Sequence, residues 1–259
     1  MERSEKVKVE LGKYDAAILD MDGVITQSAR AHMASWKRMF DEYLHERAEH
    51  LGEKFVPFTE KDYYEYVDGK PRYEGAQSFL ESREISLEYG SPDDSPAKET
   101  VCGLGNRKNR YFLEHLKKNG VESYPSTIDL VKEFKTSNKH VAVISSSRNA
   151  KAVLEAAGIS DLFHVVVDGV DSAEHQLKGK PEPDIFLEAA KRLRVSPNKA
   201  IVIEDAISGV EAGRAGGFGL VIGINRSGQN TELKSRGADI VVADLSELRS
   251  ENHEDNSIK

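Results

Sequence analysis

The chain is poor in cysteine, tryptophan, proline and long apolar runs. Its 259 residues include one cysteine (Cys102), one tryptophan and eight prolines. A single cysteine cannot form an internal disulfide, which excludes the disulfide-rich scaffolds of small secreted proteins. No apolar run approaches the roughly 18 residues of a membrane-spanning helix, and the charged segment 1–14 lacks the apolar stretch of a signal peptide. These absences predict a cytoplasmic protein without a membrane partner.

Positive charge is also scarce. Lys and Arg number 36 against 44 Asp and Glu, which gives a formal net charge of −8 and a pI near 5.6. This balance argues against a nucleic-acid partner, because such proteins present a basic face. With 39% hydrophobic and 31% charged residues the chain is in the range of folded globular proteins. We expect a monomer or a weak oligomer whose phosphate contacts, if any, come from a few placed bases.

The glycine motifs of nucleotide-binding loops are absent. No G-x-x-x-x-G-K-[ST] sequence occurs, so a P-loop is excluded. The pair Gly103-x-Gly105 lacks a third glycine because Lys108 occupies that position, and the glycine-rich stretch 213–219 does not directly follow a predicted strand. Neither cluster supports a dinucleotide site.

Six short apolar runs predict strands that are buried on both faces, since their hydrophobic residues are continuous instead of alternating. The runs are 16–19, 141–144, 165–167, 200–203, 220–224 and 240–242. Helical patterns lie between them at 127–135, 150–157, 185–193, 209–214 and 231–235. The alternation predicts a doubly wound, Rossmann-like α/β fold with a parallel sheet, whose ligands bind beyond the carboxyl ends of the strands.

About 120 residues separate the first two predicted strands, far more than an ordinary connection. Within this gap, residues 29–119 hold 13 of the chain's 19 aromatic residues, enough for a core of their own. Amphipathic spacing in 32–43 and 109–116 predicts a mostly α-helical insert, and 88–99 an exposed loop. We therefore predict a core domain formed by 1–28 and 120–259, with a flexible tail at 250–259, and a helical domain at 29–119.

The first predicted strand ends in two carboxylates, Asp20 and Asp22, followed by Gly23. Residues spaced i, i+2 in an extended segment project to the same side, and glycine lets the chain turn at once. One carboxylate can attack a phosphoryl group while the other moves the leaving-group proton. The alternative is an ordinary Asp-rich turn after a strand.

Polar residues follow three later strands as well. Residues 145–149 offer hydroxyl and backbone N–H groups, suited to a phosphate cradle or to a plain helix cap. Lys180, between a glycine and a proline, is placed to neutralise a phosphate and Asp20, or is a surface lysine. Glu204 and Asp205 directly follow a buried strand, where carboxylates are costly without a cation such as Mg²⁺.

These four motifs, in this order at these strand ends, resemble the haloacid dehalogenase superfamily of phosphotransferases. The resemblance implies that Asp20 is the nucleophile and Asp22 the general acid/base. It also implies that Asp20, the backbone carbonyl of Asp22 and Asp205 hold Mg²⁺, with Glu204 as a ligand or just behind the ligands. The residues implied to bind the transferring phosphoryl group are Ser145 and Lys180.

Within the superfamily, the chain is similar to the β-phosphoglucomutase-like subfamily with a type 1 helical cap. The opening DMDGVIT and the insert carry the likeness. It implies that Arg72 binds a distal phosphate, that Lys108 faces the site and that His32 links cap closure to acid/base positioning. The alternatives are solvated surface charges and a helix-face histidine. The further substrate-binding residues that the likeness implies are Ser147, Arg148 and Asn149.

Three departures concern the substrate. Gln27 stands where an acid is common, Arg148 replaces a lysine, and the loop 83–100 makes this cap longer than the compact mutase cap. The resemblance implies an isomerase that converts β-glucose 1-phosphate into glucose 6-phosphate, acting on a small phosphorylated sugar. The alternatives are a sugar-phosphate phosphatase and a catalytically silent binding protein.

Overall fold

The computed structural model describes residues 7–68, 70–226, 228 and 230–250. These residues divide into two compact units. The described residues of Met1–Gln27 and Glu122–Lys259 form the first, here called the core unit. Ser28–Val121 form the second, the helical unit. The predicted tail at 250–259 lies, apart from Ser250, outside the described residues.

The core unit contains a six-stranded parallel sheet and a separate two-stranded one. The strands are β1 (Val7–Val9), β2 (Ala16–Asp20), β3 (His140–Ile144), β4 (Val165–Val167), β5 (Ala200–Glu204), β6 (Leu220–Ile224), β7 (Ile240–Val242) and β8 (Leu248–Ser250). The large sheet has the order β4-β3-β2-β5-β6-β7, and β1 pairs in parallel with β8. The predicted α/β fold class is confirmed, and every predicted apolar run is a strand of the large sheet. The β1–β8 pair was not predicted.

Helices connect the strands of the large sheet. They are α5 (Pro125–Thr136), α6 (Ala150–Ala156), α7 (Gly169–Glu174), α8 (Asp184–Leu193), α9 (Ile207–Ala215) and α10 (Asn230–Ser235), with 3₁₀ turns at Leu11–Lys13, Ser160–Leu162, Pro197–Lys199 and Leu245–Glu247. The apolar face of α8 packs into the main core, where Phe186 is fully buried. Helices on the sheet explain why the strands are apolar throughout.

The strand register brings the polar strand ends to one edge of the sheet. Asp20 of β2 lies opposite Ile144 of β3, so Ser145 follows at the same level. Leu19 lies opposite Ile203 of β5, so Glu204 is level with Asp20. Because parallel strands all end at the same edge, residues far apart in sequence meet there.

The helical unit is built on aromatic packing. Its helices are α1 (Ala29–Leu51), α2 (Glu60–Asp62) with a π-helical turn at Tyr63–Val67, α3 (Arg72–Ser82) and α4 (Val101–Asn119). Phe40 lies with its ring centroid 5.3 Å from Trp36, 5.1 Å from Phe58 and 4.2 Å from Phe79. The insert is mostly helical, as predicted, and its aromatic residues supply the core. None of the helices in the described part of the chain is long and apolar enough to cross a membrane.

Candidate active site

Lys180 connects two of the predicted carboxylates. Its Nζ donates to Asp20 Oδ1 at 2.5 Å and also to Glu204 Oε1. The side chain of Lys180 is 11% exposed, that of Asp20 10% and that of Glu204 1%. Lys180 is therefore a buried member of a charge cluster, and the surface-lysine alternative is wrong.

Both oxygens of the Glu204 carboxylate have protein partners. Oε1 accepts from Lys180, and Oε2 accepts from the backbone N–H of Ala206 at 2.6 Å. The carboxylate packs on Gly209, where a Cβ atom would lie 1.8 Å from Oε1. Glu204 is thus held in one orientation, directed at the Lys180 ammonium.

Asp205 packs on the turn that follows Asp22. Gly23 has φ +83°, and a Cβ atom at that position would lie 1.9 Å from Asp205 Oδ2. The turn is closed by the N–H of Gly23, which donates to Thr26 O at 2.9 Å. Arg226 also holds the turn, since its Nε donates to Gly23 O at 2.9 Å. The carboxylate of Asp205 therefore lies directly against the backbone next to Asp22.

The cluster carries more negative than positive charge. Burial raises the pKa of Asp20 to about 7; the Lys180 ammonium opposes this rise, and Glu204 and Asp22 add to it. Burial, then Glu204 and Asp20, raise the pKa of Asp205 well above its usual range. The pKa of Lys180 is raised by Asp20 and Glu204 against the effect of burial, so it stays an ammonium. Four carboxylates facing one ammonium form a site that favours a further cation.

Carboxylate and carbonyl oxygens are the ligands that Mg²⁺ prefers, and it needs only one or two carboxylates from the protein. In the residues that the structure describes, no three His, Cys, Asp or Glu side chains are gathered as a ready ion cage. A Mg²⁺ site made of two carboxylates and one backbone carbonyl, with water and phosphate completing the coordination, does not need such a cage. The excess negative charge and the all-oxygen donors fit a hard divalent cation.

Ser145 lies at the end of β3 and is buried, 1% exposed. Its Oγ accepts from the N–H of Ser147 at 3.0 Å, and Ser147 Oγ accepts from the N–H of Asn149 at 3.1 Å. The two hydroxyl turns lead into α6, where Asn149 makes no side-chain cap bond. The segment 145–149 is therefore a folded turn at the same sheet edge as Asp20. Arg148 lies beside Gly169, at the start of α7.

His32 and Lys108 form a close pair in the helical unit. Lys108 Nζ lies 2.7 Å from His32 Nδ1, and the His32 ring stacks on Phe112 with centroids 4.0 Å apart. The ammonium also lies 5.0 Å from the ring centroid of Trp36, and Lys108 is 4% exposed. Burial, the Lys108 ammonium and the Arg72 guanidinium hold the pKa of His32 well below its usual 6.5. Lys108 is therefore no solvated surface charge, and it donates to a neutral imidazole.

Arg72 is held by two asparagine side chains that were not predicted from the sequence. Its Nη2 donates to Asn109 Oδ1 at 2.8 Å and its Nη1 to Asn106 Oδ1 at 3.4 Å. Asn106 and Asn109 lie three residues apart on α4 and so face the same side of that helix. This spacing was the one signal that could have found them.

The predicted site residues thus form two groups, one in each unit. The edge of the large sheet collects Asp20, Asp22, Ser145, Lys180, Glu204 and Asp205, with Ser147, Arg148 and Asn149 in the adjoining turn. The helical unit contains His32, Arg72 and Lys108. Arg226, which holds the Gly23 turn, was also missed, because its partner lies 203 residues away in the sequence.

Known proteins share both the sequence pattern and the fold. The family described as haloacid dehalogenase-like hydrolase matches residues 14–217. The chain is 49% identical over 240 residues to a β-phosphoglucomutase of Mycobacterium bovis, covering 91% of this chain and 92% of that protein. It is 30% identical over 219 residues to a phosphorylated carbohydrates phosphatase of Thermotoga maritima, covering 82% and 86%. A crystal structure of a Clostridium difficile β-phosphoglucomutase superposes with a TM-score of 0.70 at 27% identity, covering 91% and 93%.

Proposed function

The chain belongs to the haloacid dehalogenase-like hydrolases, and we propose that it transfers the phosphoryl group of sugar phosphates through a phospho-aspartate at Asp20, with Mg²⁺ as cofactor. It is a β-phosphoglucomutase-like enzyme of the phosphotransferase or phosphatase class. The observation that carries the proposal is the buried Asp20–Lys180–Glu204 cluster at the carboxyl edge of the sheet. Carboxylates concentrated around one ammonium suit a site that takes up a divalent cation and a phosphoryl group.

Asp20 is the proposed nucleophile. One carboxylate oxygen attacks phosphorus while the oxygen of the departing alcohol leaves on the opposite side. Lys180, already within 2.5 Å of Asp20 Oδ1, offsets charge on the phosphoryl oxygens as the group moves. Glu204 keeps the ammonium aimed at that position.

Asp22 is the proposed general acid/base. Two residues beyond Asp20, it gives a proton to the leaving alcohol and later takes one from the incoming hydroxyl. The Gly23 turn, held by Arg226 and packed against Asp205, fixes the direction of that carboxylate. Asp22 changes its protonation state once in each half of the reaction.

Mg²⁺ is the proposed cofactor, held by Asp20, the backbone carbonyl of Asp22 and Asp205. When bound it neutralises carboxylate and phosphate charge, so that an anionic nucleophile can approach an anionic phosphoryl group. Glu204 is the remaining candidate ligand, but its two occupied oxygens favour a role in orienting Lys180 instead.

Ser145 and the turn 147–149 are proposed to bind the phosphoryl group and the sugar. In the helical unit, which we propose to be the substrate-selecting cap domain (29–119), Arg72 is the proposed ligand of a second phosphate, with His32 and Lys108 beside it. The Arg72 guanidinium donates to two neutral amide oxygens, those of Asn106 and Asn109, and a planar guanidinium suits a phosphate group.

An isomerase that converts β-glucose 1-phosphate into glucose 6-phosphate is the favoured reaction, because the relative named β-phosphoglucomutase is 49% identical across 91% of the chain. Release of inorganic phosphate from sugar phosphates is the second candidate, favoured by the relative named as a phosphatase at 30% identity. Both share the first half-reaction and differ in whether a sugar hydroxyl or water accepts the phosphoryl group.

Phosphorus NMR separates the two candidates. The enzyme is given β-glucose 1-phosphate, Mg²⁺ and a trace of glucose 1,6-bisphosphate, and we expect glucose 6-phosphate to accumulate. Accumulation of inorganic phosphate instead would support the phosphatase. Asp20→Asn should reduce either product by about 10³-fold or more, whereas Asp15→Asn, on the residue before β2, should leave the rate unchanged. Full turnover by Asp20→Asn would contradict the proposal.

A further inference from the structure

The exposed loop before α4 contains a turn folded around one carboxylate. Asp94 Oδ1 pairs with Lys98 at 2.7 Å, and Oδ2 accepts from the Thr100 hydroxyl at 2.7 Å and the Ser91 N–H at 3.0 Å. The Lys98, Thr100 and Ser91 donors hold the pKa of Asp94 down to about 2. We call residues 91–98 the Asp94 turn. Its backbone conformation is set by these bonds, although most of its residues are exposed.

Asn106 joins the Asp94 turn to Arg72. Its Nδ2 donates to the backbone carbonyls of Pro92 and Asp94, both at 2.9 Å. Its Oδ1 accepts from Tyr73 Oη at 2.9 Å and from Arg72 Nη1 at 3.4 Å. An amide side chain offers two donor hydrogens and two acceptor sites, and Asn106 uses all four. No other side chain of this length can make this set, so the position requires asparagine.

Asn106 contributes to the orientation of Arg72. The guanidinium is planar, and donating through both Nη atoms to Asn106 and Asn109 fixes the plane. Asn106 and Asn109 also line, with Pro92 and Asp94, a cavity of about 620 Å³ in the helical unit.

We propose that Asn106 is a positioning residue that ties the Arg72 guanidinium to the Asp94 turn, so that this loop sets the affinity for the second phosphate of a sugar bisphosphate. The inference rests on the proposed function, in which Arg72 binds that phosphate. It gives a role to the part of the loop 83–100 by which this chain differs from a compact cap.

Two variants test whether Asn106 links the Asp94 turn to Arg72, one at Asn106 itself and one in the turn. Asn106→Ala removes it, and Asp94→Ala releases the turn without touching Arg72. Each should raise the concentration of glucose 1,6-bisphosphate needed for half-maximal phosphoenzyme formation by about 10-fold, which equals about 1.4 kcal/mol. With acetyl phosphate, which carries one phosphate, the change should be several-fold smaller. Asn119→Ala, exposed at the end of α4, is the matched control and should behave as wild type.

A double-mutant cycle shows whether Asn106 acts through Arg72. In an Arg72→Ala background, Asn106→Ala should raise the half-maximal concentration of glucose 1,6-bisphosphate by less than about 2-fold further, because the guanidinium that Asn106 positions is absent. The proposal is overturned if Asn106→Ala matches wild type, or if it impairs phosphorylation by glucose 1,6-bisphosphate and by acetyl phosphate equally. It is also overturned if the full effect of Asn106→Ala persists in the Arg72→Ala background. In those cases Arg72→Ala alone is still defective. If the proposed function fails, Arg72→Ala itself leaves the bisphosphate dependence unchanged.

Discussion

Gly23 shows at the scale of one residue why the turn after Asp22 requires glycine. Its φ of +83° is a conformation that L-residues adopt only with strain, and the space a side chain would occupy is filled by the Asp205 carboxylate. Backbone conformation and packing therefore both require glycine at position 23. The turn places Asp22 and Asp205 side by side, which neither residue could achieve alone.

Gly23→Ala tests whether both the positive φ and the close packing of Asp205 require glycine at this position. Gly52 also has a positive φ, +66°, but a Cβ atom at that position would meet nothing within 4 Å, so Gly52→Ala bears backbone strain only. We expect Gly52→Ala to lower the free energy of unfolding by about 1–2 kcal/mol, and Gly23→Ala to cost at least about 1 kcal/mol more from overpacking. Urea unfolding measures both. Equal losses would show that Asp205 does not restrict the turn.

Lys180 is the buried cation of the cluster, and its removal leaves carboxylates facing one another. Lys180→Met should lower the free energy of unfolding by about 3 kcal/mol without Mg²⁺, and added Mg²⁺ should recover part of the loss. Thermal melts with and without the metal report both effects. Lys178→Met, two residues earlier in the chain, is the control. A Lys180→Met protein as stable as the control would contradict the charge balance described here.

The carboxylates could be found from the sequence because each lies at the end of an apolar strand or within two residues after it. Lys180 was also predicted to neutralise Asp20, whereas its bond to Glu204 and the asparagine partners of Arg72 were not predicted. Lys180 and Glu204 are 24 residues apart, Arg72 and Asn109 are 37 apart, and the contacts arise only when the strands or helices pack. The three-residue spacing of Asn106 and Asn109 on one helix is a weak signal, and it does not identify Arg72 as their partner.

Helices and strands were predictable from the sequence where one pattern of apolar residues dominated. The six strands of the large sheet are marked by continuous apolar runs, and their bounds differ from the predicted runs by at most one residue. α7 was missed because it is six residues long and is defined by the Asp168–Asp171 capping box rather than by an apolar stripe. α3 was missed because its buried residues include Gly75 and Ala76, which weaken the hydrophobic pattern.

Helix α1 contributes a pH-dependent contact to the helical unit. The pKa of His32 is lowered in the folded chain by burial and by Lys108 and Arg72, so the folded state prefers the neutral ring. In the unfolded chain the ring takes a proton near pH 6.5. This contribution to stability is therefore complete above pH 6.5 and is lost as pH falls below it, by at most about 1.4 kcal/mol per pH unit.

His32→Gln removes the titrating ring. We expect the free energy of unfolding of this variant to fall less steeply between pH 6.5 and pH 5 than that of wild type, because one proton fewer is taken up on unfolding. Chemical denaturation at a series of pH values gives the slope. His45→Gln, an exposed change on the same helix, should retain the wild-type slope. Parallel slopes for His32→Gln and wild type would refute this assignment.

At the scale of the whole molecule, the net charge of −8 is compatible with a phosphorylated substrate because charge is distributed locally. Asp20, Asp22, Glu204 and Asp205 gather at one sheet edge around Lys180. The fold class followed from the order of elements along the chain. The substrate did not follow, since in our proposal it is selected by side chains, such as Arg72, whose contacts arise only when loops and helices pack.

The central claim is that Asp20 carries the phosphoryl group, and peptide mapping by mass spectrometry tests it most directly. The protein is mixed with Mg²⁺ and glucose 1,6-bisphosphate, quenched in acid and digested. We predict one added phosphoryl group, located on Asp20, and none in Asp20→Asn or when the metal is chelated. A phosphoryl group on Ser145 or on a histidine, or retained labelling of Asp20→Asn, would contradict the account.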